Sequence, residues 1–368
     1  MKWPEFVLNS GVLDIEAYAP GKPIEELQRE LGLTSIVKMA SNENPLGPSP
    51  KALEALRHGL EELHLYPDGN YYDLRKALGE RLGLRWEEIL VGNGAAELIY
   101  LIGITFLDEG QETIVGNPSF PTYEVITRTM RGRCVYSPLK EYTIDLEDML
   151  SRITPQTKLI FVCNPNNPTG TSVRRDDFFS FLDRVPPEVF VVADEAYADF
   201  VSSTGFPDTI SRLRSGQRNL LILRTLSKAL GLAGLRIGYL MAQPSVIAAV
   251  NRVRLPFNVS RVAELAAIAA LKDVEHLHET IDVVNRGKDY LYRMLGEMEL
   301  TFVRSDSNFI MVDVERNGVE VFEALLQRGV IIRPAFGLSH HIRVTVGTES
   351  QNRRFIEALR DVMGMSSR

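Results

Sequence analysis

Lys228 lies among small and hydroxyl-bearing residues, directly after an apolar, strand-like run at 219–223. A primary amine can condense with an aldehyde, and a cationic neighbour would lower its pKa and favour the reactive neutral form. Thr225 and Ser227 offer hydroxyl groups to a phosphate, and Arg236 offers a guanidinium to the same group. An isolated lysine would more often be a solvated loop residue, but these neighbours favour a Schiff-base lysine beside an anion site.

Asp194 closes a run of five uncharged residues at 189–193 that is typical of a buried strand. A carboxylate at that strand end needs a cationic partner, because burying an unpaired charge is costly. A protonated pyridine nitrogen would supply the partner, and the ion pair would keep the ring an electron sink. Capping of a helix or turn would explain the aspartate equally well if it stood alone. Tyr197 would either pack or donate a hydrogen bond to the ring's phenolic oxygen.

Three further turns carry polar, small or aromatic residues at strand ends. Asn167 follows a strand-like run at 158–163, where it would form a turn in any case and would also be able to reach the phenolic oxygen. Ala95 and Ala96 open an apolar helix after a glycine-bearing turn, so their backbone N–H groups can approach an anion, although such turns are common without ligands. Phe120 would stack on a planar ring or pack in the core. With the lysine and the aspartate, these turns predict a pyridoxal 5′-phosphate pocket.

The elements that must position these residues alternate along the middle of the chain. Apolar β-rich runs separated by helical patterns predict an α/β domain whose mostly parallel sheet is covered on both faces. We expect three parts: an N-terminal arm at 1–45, a large domain at 46–258 and a smaller α+β domain at 259–368. Strands are predicted at 112–115, 158–163, 189–193, 219–223, 237–242, 308–314, 329–333 and 342–346, and helices at 51–63, 74–82, 98–107, 319–328 and 349–363.

Composition and charge argue against several classes of protein. The 368 residues are 45% hydrophobic and 24% charged with a formal net charge of -7, which indicates an ordered globular chain. No long run of like charge favours nucleic acid or an anionic membrane, so small molecules are the expected partners. The longest strongly apolar segment, 98–107, is about half the length that crosses a bilayer. Two cysteines and an opening without an apolar segment predict a cytoplasmic protein, and the six histidines show no metal-binding spacing.

Seven motifs are spread over nearly the whole chain. They lie at 18–23, 41–48, 66–68, 164–170, 194–197, 225–236 and 342–348. This set resembles the fold-type-I pyridoxal phosphate aminotransferases. The resemblance implies a large domain with a mostly parallel sheet flanked by helices, a smaller α+β domain, and a homodimer with shared active sites. It also implies transfer of an amino group from a phosphate-bearing donor to 2-oxoglutarate.

The resemblance also implies a role for each matching position. Lys228, Asp194 and Tyr197 would be the catalytic residues, binding the cofactor aldehyde, ring nitrogen and phenolic oxygen respectively. Asn167 would share the phenolic oxygen, and Phe120 would stack on the ring. The cofactor phosphate would be bound by Ala95, Ala96, Thr225, Ser227 and Arg236, with Tyr66 contributed by the other subunit. The substrate phosphate would be bound by Arg333, Arg343, Tyr18 and Asn258. In one respect the sequence departs from the family pattern: the connection at 334–342, between the two arginines, is shorter than in many relatives.

Several alternatives remain open from the sequence. An aromatic-amino-acid aminotransferase would share most of the motifs, and a phosphothreonine decarboxylase would share the scaffold. A non-catalytic sensor of the transcription-regulator type would carry an added DNA-binding domain, for which we expect no room before the motif that begins at 41. A purely structural protein would leave Asp194 and Lys228 unexplained as charges at strand ends.

Overall fold

The computed structural model describes residues 9–13, 15–16, 23–33 and 35–365. The helices are α1 (Ile24–Leu31), α2 (Pro50–Gly59), α3 (Tyr72–Leu82), α4 (Gly94–Phe106), α5 (Thr122–Thr129), α6 (Leu146–Ser151), α7 (Arg175–Arg184), α8 (Thr209–Arg214), α9 (Pro244–Asn251), α10 (Arg261–Leu271), α11 (Val274–Glu297), α12 (Gly318–Leu326) and α13 (Glu349–Val362). The strands are β1 (Val37–Lys38), β2 (Ile89–Gly92), β3 (Glu112–Asn117), β4 (Arg133–Pro138), β5 (Thr157–Cys163), β6 (Phe190–Asp194), β7 (Leu220–Thr225), β8 (Gly238–Met241), β9 (Phe302–Val303), β10 (Phe309–Asp313), β11 (Val330–Ile331), β12 (Arg333–Pro334) and β13 (His341–Thr345).

Seven strands form the large sheet, in the order β2-β8-β7-β6-β5-β3-β4. Only β8 runs antiparallel to its neighbours, and the other four strand pairs are parallel. The predicted mostly parallel sheet is therefore confirmed. Strands β5, β6 and β7 are buried along nearly their whole length, which explains why their sequences are continuously apolar rather than alternating.

The central strands end level with one another. Cys163 at the end of β5 pairs with Asp194 at the end of β6, and Asp194 pairs with Leu223 on β7. Gly238, at the start of the antiparallel β8, pairs with both Thr225 and Gly92. The turns that follow β2, β5, β6 and β7 therefore meet at one edge of the sheet, where open α/β folds bind their ligands.

A second, antiparallel sheet of order β12-β13-β10-β9 lies in the C-terminal part of the chain. The N-terminal segment joins this part, because β1 pairs in parallel with β11. Helix α10 packs against α2 and α3, which precede the large sheet in the chain. The boundaries of the three domains stay predictions.

Some elements differ from the sequence predictions for identifiable reasons. The apolar run predicted as one strand at 329–333 is divided, because β11 pairs with β1 whereas β12 pairs with β13. Strand β4 is an edge strand with partly exposed residues, so its sequence lacked the apolar signal of the central strands. The helix predicted at 51–63 stops at Gly59 and continues as a short 3₁₀ turn at Leu60–Glu62.

Helix α4 contains most of the apolar segment at 98–107. It has 13 residues, and Leu98, Ile99 and Ile102 on its buried face have no exposed surface. The segment is therefore a core helix beside the large sheet, as predicted. Among the described residues, none of the helices has the length and apolar character needed to span a membrane.

Candidate active site

A cavity of about 320 Å³ is bounded by the turns at the strand ends, by the start of α4, by residues 40–43 and by β12 and β13. All but three of the predicted site residues line it. The predicted residues that line the cavity are Ala95, Ala96, Phe120, Asn167, Asp194, Tyr197, Thr225, Ser227, Lys228, Arg236, Arg333 and Arg343. The structure therefore brings residues separated by almost 250 positions in the sequence to one cavity.

The amine of Lys228 lies inside this cavity and donates a hydrogen bond of 2.9 Å to the carbonyl oxygen of Ser41. Burial lowers the pKa of Lys228 to about 8, and the positive charge of Arg343 contributes in the same direction. Near neutral pH roughly a tenth of the amine is therefore neutral, far more than at the ordinary pKa of lysine. A neutral amine of this kind can attack an aldehyde or accept a proton.

Asp194 is 3% exposed at the end of β6. Its Oδ2 accepts a hydrogen bond of 2.6 Å from the Tyr123 hydroxyl, and its Oδ1 accepts one of 3.2 Å from the Ala196 backbone N–H. Both donors are neutral, and burial raises the pKa of Asp194 to about 6. A buried carboxylate with neutral partners fits a cationic ring nitrogen, which would offset the cost of burying the charge.

An anion cradle lies at the N-terminus of α4. The cap residue Asn93 makes no side-chain capping hydrogen bond, so the N–H groups of the first turn, including those of Ala95 and Ala96, are not capped by it. The Arg236 guanidinium approaches so closely that a Cβ on Gly94 would lie 2.3 Å from its Nη2. Its Nη1 is 3.4 Å from the Ser227 hydroxyl. A helix N-terminus, a guanidinium and a hydroxyl together suit a phosphate dianion.

Another part of the cavity lining contains the predicted phenolic-oxygen contacts, Tyr197 and Asn167, and a second amide, Asn42. Asn42 donates from Nδ2 to the Tyr197 hydroxyl at 2.9 Å, and burial raises the pKa of Tyr197 to about 12, so this phenol stays protonated. Asn167 accepts a 2.5 Å hydrogen bond from Nη1 of Arg343. Asn42 has a φ of 54°, in the left-handed region that asparagine tolerates better than most residues.

Arg333 and Arg343 are directly opposite each other in the pairing of β12 with β13. Like charges opposite each other on adjacent strands destabilise a sheet, and both side chains line the cavity. Arg343 is 7% exposed and also donates to the carbonyl oxygen of Ala40 at 2.7 Å. An anion bound between the two guanidinium groups would relieve their repulsion, so the arrangement fits an anionic substrate group.

Three predicted residues are not part of this cavity. Tyr66 is 78% exposed and stacks on Phe257 with ring centroids 4.6 Å apart. Asn258 donates to Glu97 in the first turn of α4, beside the phosphate cradle rather than beside the arginines. Tyr18 lies outside the described residues. The roles of all three stay predictions.

Sequence reasoning missed two residues that contact predicted site residues. Asn42 lies within the motif at 41–48 and Tyr123 lies three residues after Phe120, but neither was predicted to be a site residue. Their contacts with Asp194 and Tyr197 join residues 71 and 155 positions apart, so they depend on the fold. The residue types alone gave no signal of these pairs.

One cavity thus contains a partly neutral lysine, a buried carboxylate, an anion cradle and a pair of arginines. The first three are the kinds of group that suit the aldehyde, ring nitrogen and phosphate of pyridoxal phosphate. Residues 34–359 match the family "Aminotransferase class I and II". The chain belongs to this family of pyridoxal phosphate-dependent transaminases.

Individual relatives narrow the comparison. The chain is 48% identical to histidinol-phosphate aminotransferase of Moorella thermoacetica, over 96% of this chain and 92% of the relative. It is 45% identical to the enzyme of the same name from Caldicellulosiruptor saccharolyticus, over 95% and 98% of the two chains. The crystal structure of histidinol-phosphate aminotransferase from Sinorhizobium meliloti in complex with pyridoxal-5'-phosphate superposes with a TM-score of 0.90, at 27% identity over 97% of this chain and 98% of that one.

Proposed function

We propose that this aminotransferase moves the amino group of L-histidinol phosphate to 2-oxoglutarate, forming imidazole-acetol phosphate and L-glutamate in histidine biosynthesis. The similarity to relatives of that name, at 48% and 45% identity over nearly the whole chain, supports the proposal. We place the reaction in the cytoplasm, in keeping with two cysteines that are both free.

The opposed pair Arg333 and Arg343 is the observation that carries the substrate assignment. Histidinol phosphate carries its phosphate one carbon from the amine-bearing carbon, and glutamate carries a carboxylate directly on that carbon. One cationic site in the cavity can therefore bind the phosphate of histidinol phosphate and, in the other half of the reaction, the carboxylate of 2-oxoglutarate or glutamate. Guanidinium groups suit this task because they bind phosphate and carboxylate through paired hydrogen bonds.

The proposed roles of the chain's own residues are supported by their place in the lining of the cavity. When bound, pyridoxal phosphate supplies an electron sink for the bond that breaks at the substrate α-carbon. The neutral Nζ of Lys228 is the base that accepts the α-carbon proton, and its pKa of about 8 suits proton transfer near neutral pH. Asp194 would hold the ring nitrogen, Tyr197 and Asn167 would hold the phenolic oxygen, and Phe120 would stack on a face of the ring.

The arginine pair gives a direct test of the substrate. We expect Arg333→Ala and Arg343→Ala to raise KM for histidinol phosphate at least about tenfold more than KM for histidinol, because a lost charge-assisted contact matters only when the phosphate is present. Steady-state kinetics with both donors measures this difference. Arg360→Ala, which removes an arginine that pairs with Glu297 on the surface, is the matched control and should alter neither value.

Equal losses for both donors would contradict phosphate recognition and favour an aromatic-amino-acid aminotransferase that binds a carboxylate here. Single half-reactions separate the two functions. Histidinol phosphate, phenylalanine, tyrosine and aspartate are offered separately to the holoenzyme, and the absorbance change of the bound cofactor is followed. Faster conversion by phenylalanine or tyrosine than by histidinol phosphate would reject the proposed substrate.

We also propose that two copies of the chain form a homodimer through the surface around Tyr66. Large apolar side chains are exposed there on two segments that the stacking of Tyr66 on Phe257 brings together. They are Leu60 (55% exposed), Leu63 (58%), Leu65 (50%), Leu255 (68%) and Phe257 (42%). Exposed apolar groups of this kind mark protein interfaces, and a second copy would bury them. Tyr66 would then reach the phosphate cradle of its partner.

Mixed dimers test whether Tyr66 acts in the partner's site. Tyr66→Phe chains and Lys228→Ala chains are co-expressed with two different tags, and the heterodimer is isolated. Action across the interface places both defects in one site, so the other site should bind pyridoxal phosphate with wild-type affinity. If Tyr66 serves its own chain, the only lysine-bearing site is defective and no wild-type site is found. Tyr136→Phe, at another exposed tyrosine on the edge strand, is the control.

A further inference from the structure

Tyr123 is a fully buried tyrosine of α5 that contacts residues of the predicted cofactor site from outside the cavity. It does not line the cavity, yet its hydroxyl donates the 2.6 Å hydrogen bond to Oδ2 of Asp194. Its ring is held on two sides, stacked on Phe161 at 4.4 Å and in edge contact with Phe120 at 5.7 Å. The hydroxyl is therefore fixed in direction, and its position is set by the core rather than by any ligand.

The surroundings of Asp194 make this hydrogen bond influential. Burial and the neighbouring Glu195 carboxylate both raise the pKa of Asp194, whereas the Tyr123 hydroxyl and the Ala196 N–H lower it. Burial raises the pKa of the nearby Cys163 thiol to about 12, so that group is neutral. Within the described part of the chain, the side-chain hydrogen bond that Asp194 accepts comes from Tyr123. A donor to the ionised form stabilises that form.

Resting on the proposed pairing of Asp194 with the ring nitrogen, we propose that Tyr123 is a positioning residue that keeps their shared proton on the nitrogen. A carboxylate and a pyridine nitrogen share one proton between them. The Tyr123 hydroxyl and the Ala196 N–H each donate to a carboxylate oxygen, and this favours the ionised aspartate and therefore the cationic ring. Without the hydroxyl the proton moves to the carboxyl, both partners become neutral, and the ring becomes a poorer electron sink.

The test uses holoenzyme reconstituted with pyridoxal phosphate that carries nitrogen-15 in the ring. The nitrogen-15 chemical shift, measured at a fixed pH at which the pair holds one proton, reports directly what fraction of that proton lies on the ring nitrogen. We expect Tyr123→Phe to move this shift toward that of the neutral ring and to weaken cofactor binding roughly tenfold or more, because a hydrogen bond to a charged group is lost. Tyr292→Phe, which removes a hydroxyl that bonds the Ser305 N–H outside the cavity, should change neither.

Replacement of Tyr123 by a fluorinated tyrosine is the second variant, for use if the phenylalanine variant does not fold. The fluorinated phenol is a stronger donor of almost the same shape, so the shift should lie at or move toward that of the protonated ring. Asp194→Asn calibrates the experiment, since it removes the partner of the ring nitrogen. In the Asp194→Asn background, Tyr123→Phe should have no further effect on the shift.

The outcomes separate the inference about Tyr123 from the proposed contact of Asp194 with the ring nitrogen on which it rests. An unchanged nitrogen-15 shift in both Tyr123 variants, with a large change in Asp194→Asn, would overturn the inference and leave Tyr123 as a packing residue. No change in any of the three variants would mean that Asp194 does not contact the ring nitrogen, and then the proposed active site itself is wrong. A change in Tyr123→Phe that persists in full in the Asp194→Asn background would also overturn the inference, because the effect would not pass through Asp194.

Discussion

Lys228→Ala should lower the rate of transamination by about four orders of magnitude or more, because it removes both the nucleophile and the general base. The variant should still bind pyridoxal phosphate through the cradle at α4 and through Asp194. Steady-state assays with histidinol phosphate and 2-oxoglutarate measure the rate, and equilibrium dialysis measures cofactor binding. In the wild-type protein, borohydride reduction followed by peptide mapping should label Lys228. A label on any other lysine would refute the assignment.

Lys288→Met is the matched control, because Lys288 is also a buried lysine, only 5% exposed, but lies outside the cavity.

Lys228 of the protein without cofactor should react with an amine reagent with a midpoint near pH 8 rather than at its ordinary value of 10.5. The unfolded chain keeps the proton of Lys228 to higher pH than the folded chain does. The free energy of unfolding should therefore increase as the pH is raised from about 8 to 10.5. Arg343→Ala should move the midpoint upward, because a neighbouring positive charge is removed. An unchanged midpoint would contradict this coupling.

Asp194→Ala should bind pyridoxal phosphate more weakly and should slow transamination by roughly a hundredfold or more. Removing one partner of a buried charge pair costs about 3 kcal/mol or more, and each 1.4 kcal/mol corresponds to about a factor of ten. Asp194→Asn keeps the shape without the charge and should be nearly as defective. The affinity of the wild-type protein for the cofactor should decrease as the pH is lowered through about 6, because Asp194 takes up a proton there. Both are measured by cofactor titration and steady-state kinetics.

Asp183→Asn is the control for the aspartate series, since it changes a carboxylate that pairs with Arg212 at the surface. Near-normal turnover in both Asp194 variants would mean that the carboxylate is a structural cap. That outcome would return the site to the alternative that the sequence alone left open.

The site could be predicted in large part because its residues follow buried strands. Asp194 and the turns before Asn167 and Lys228 come after apolar runs, and parallel strands bring such positions to one edge. The opposed arginines could not be found in this way. Their facing positions depend on the register of β12 with β13, which the connection between these strands determines and no periodicity reveals.

The fold was predictable where burial was uniform and less so where it was not. The central strands β5, β6 and β7 have continuous apolar sequences, so their existence and order of appearance were clear. The divided segment at 329–333 looked like one strand because pairing partners are not encoded locally. Tyr123 was hidden for the same reason, since its partner is 71 residues away.

The charges around the cavity have a kinetic consequence. Four basic side chains line it, those of Lys228, Arg236, Arg333 and Arg343, against two acidic ones, Glu43 and Asp194. The chain as a whole nevertheless carries a formal charge of -7, so a diffusing anion meets repulsion at long range and attraction at the entrance. At physiological ionic strength the Debye length is about 8 Å, which screens the distant exterior more than the nearby guanidinium groups. Moderate salt should therefore speed the capture of phosphorylated molecules relative to very low salt.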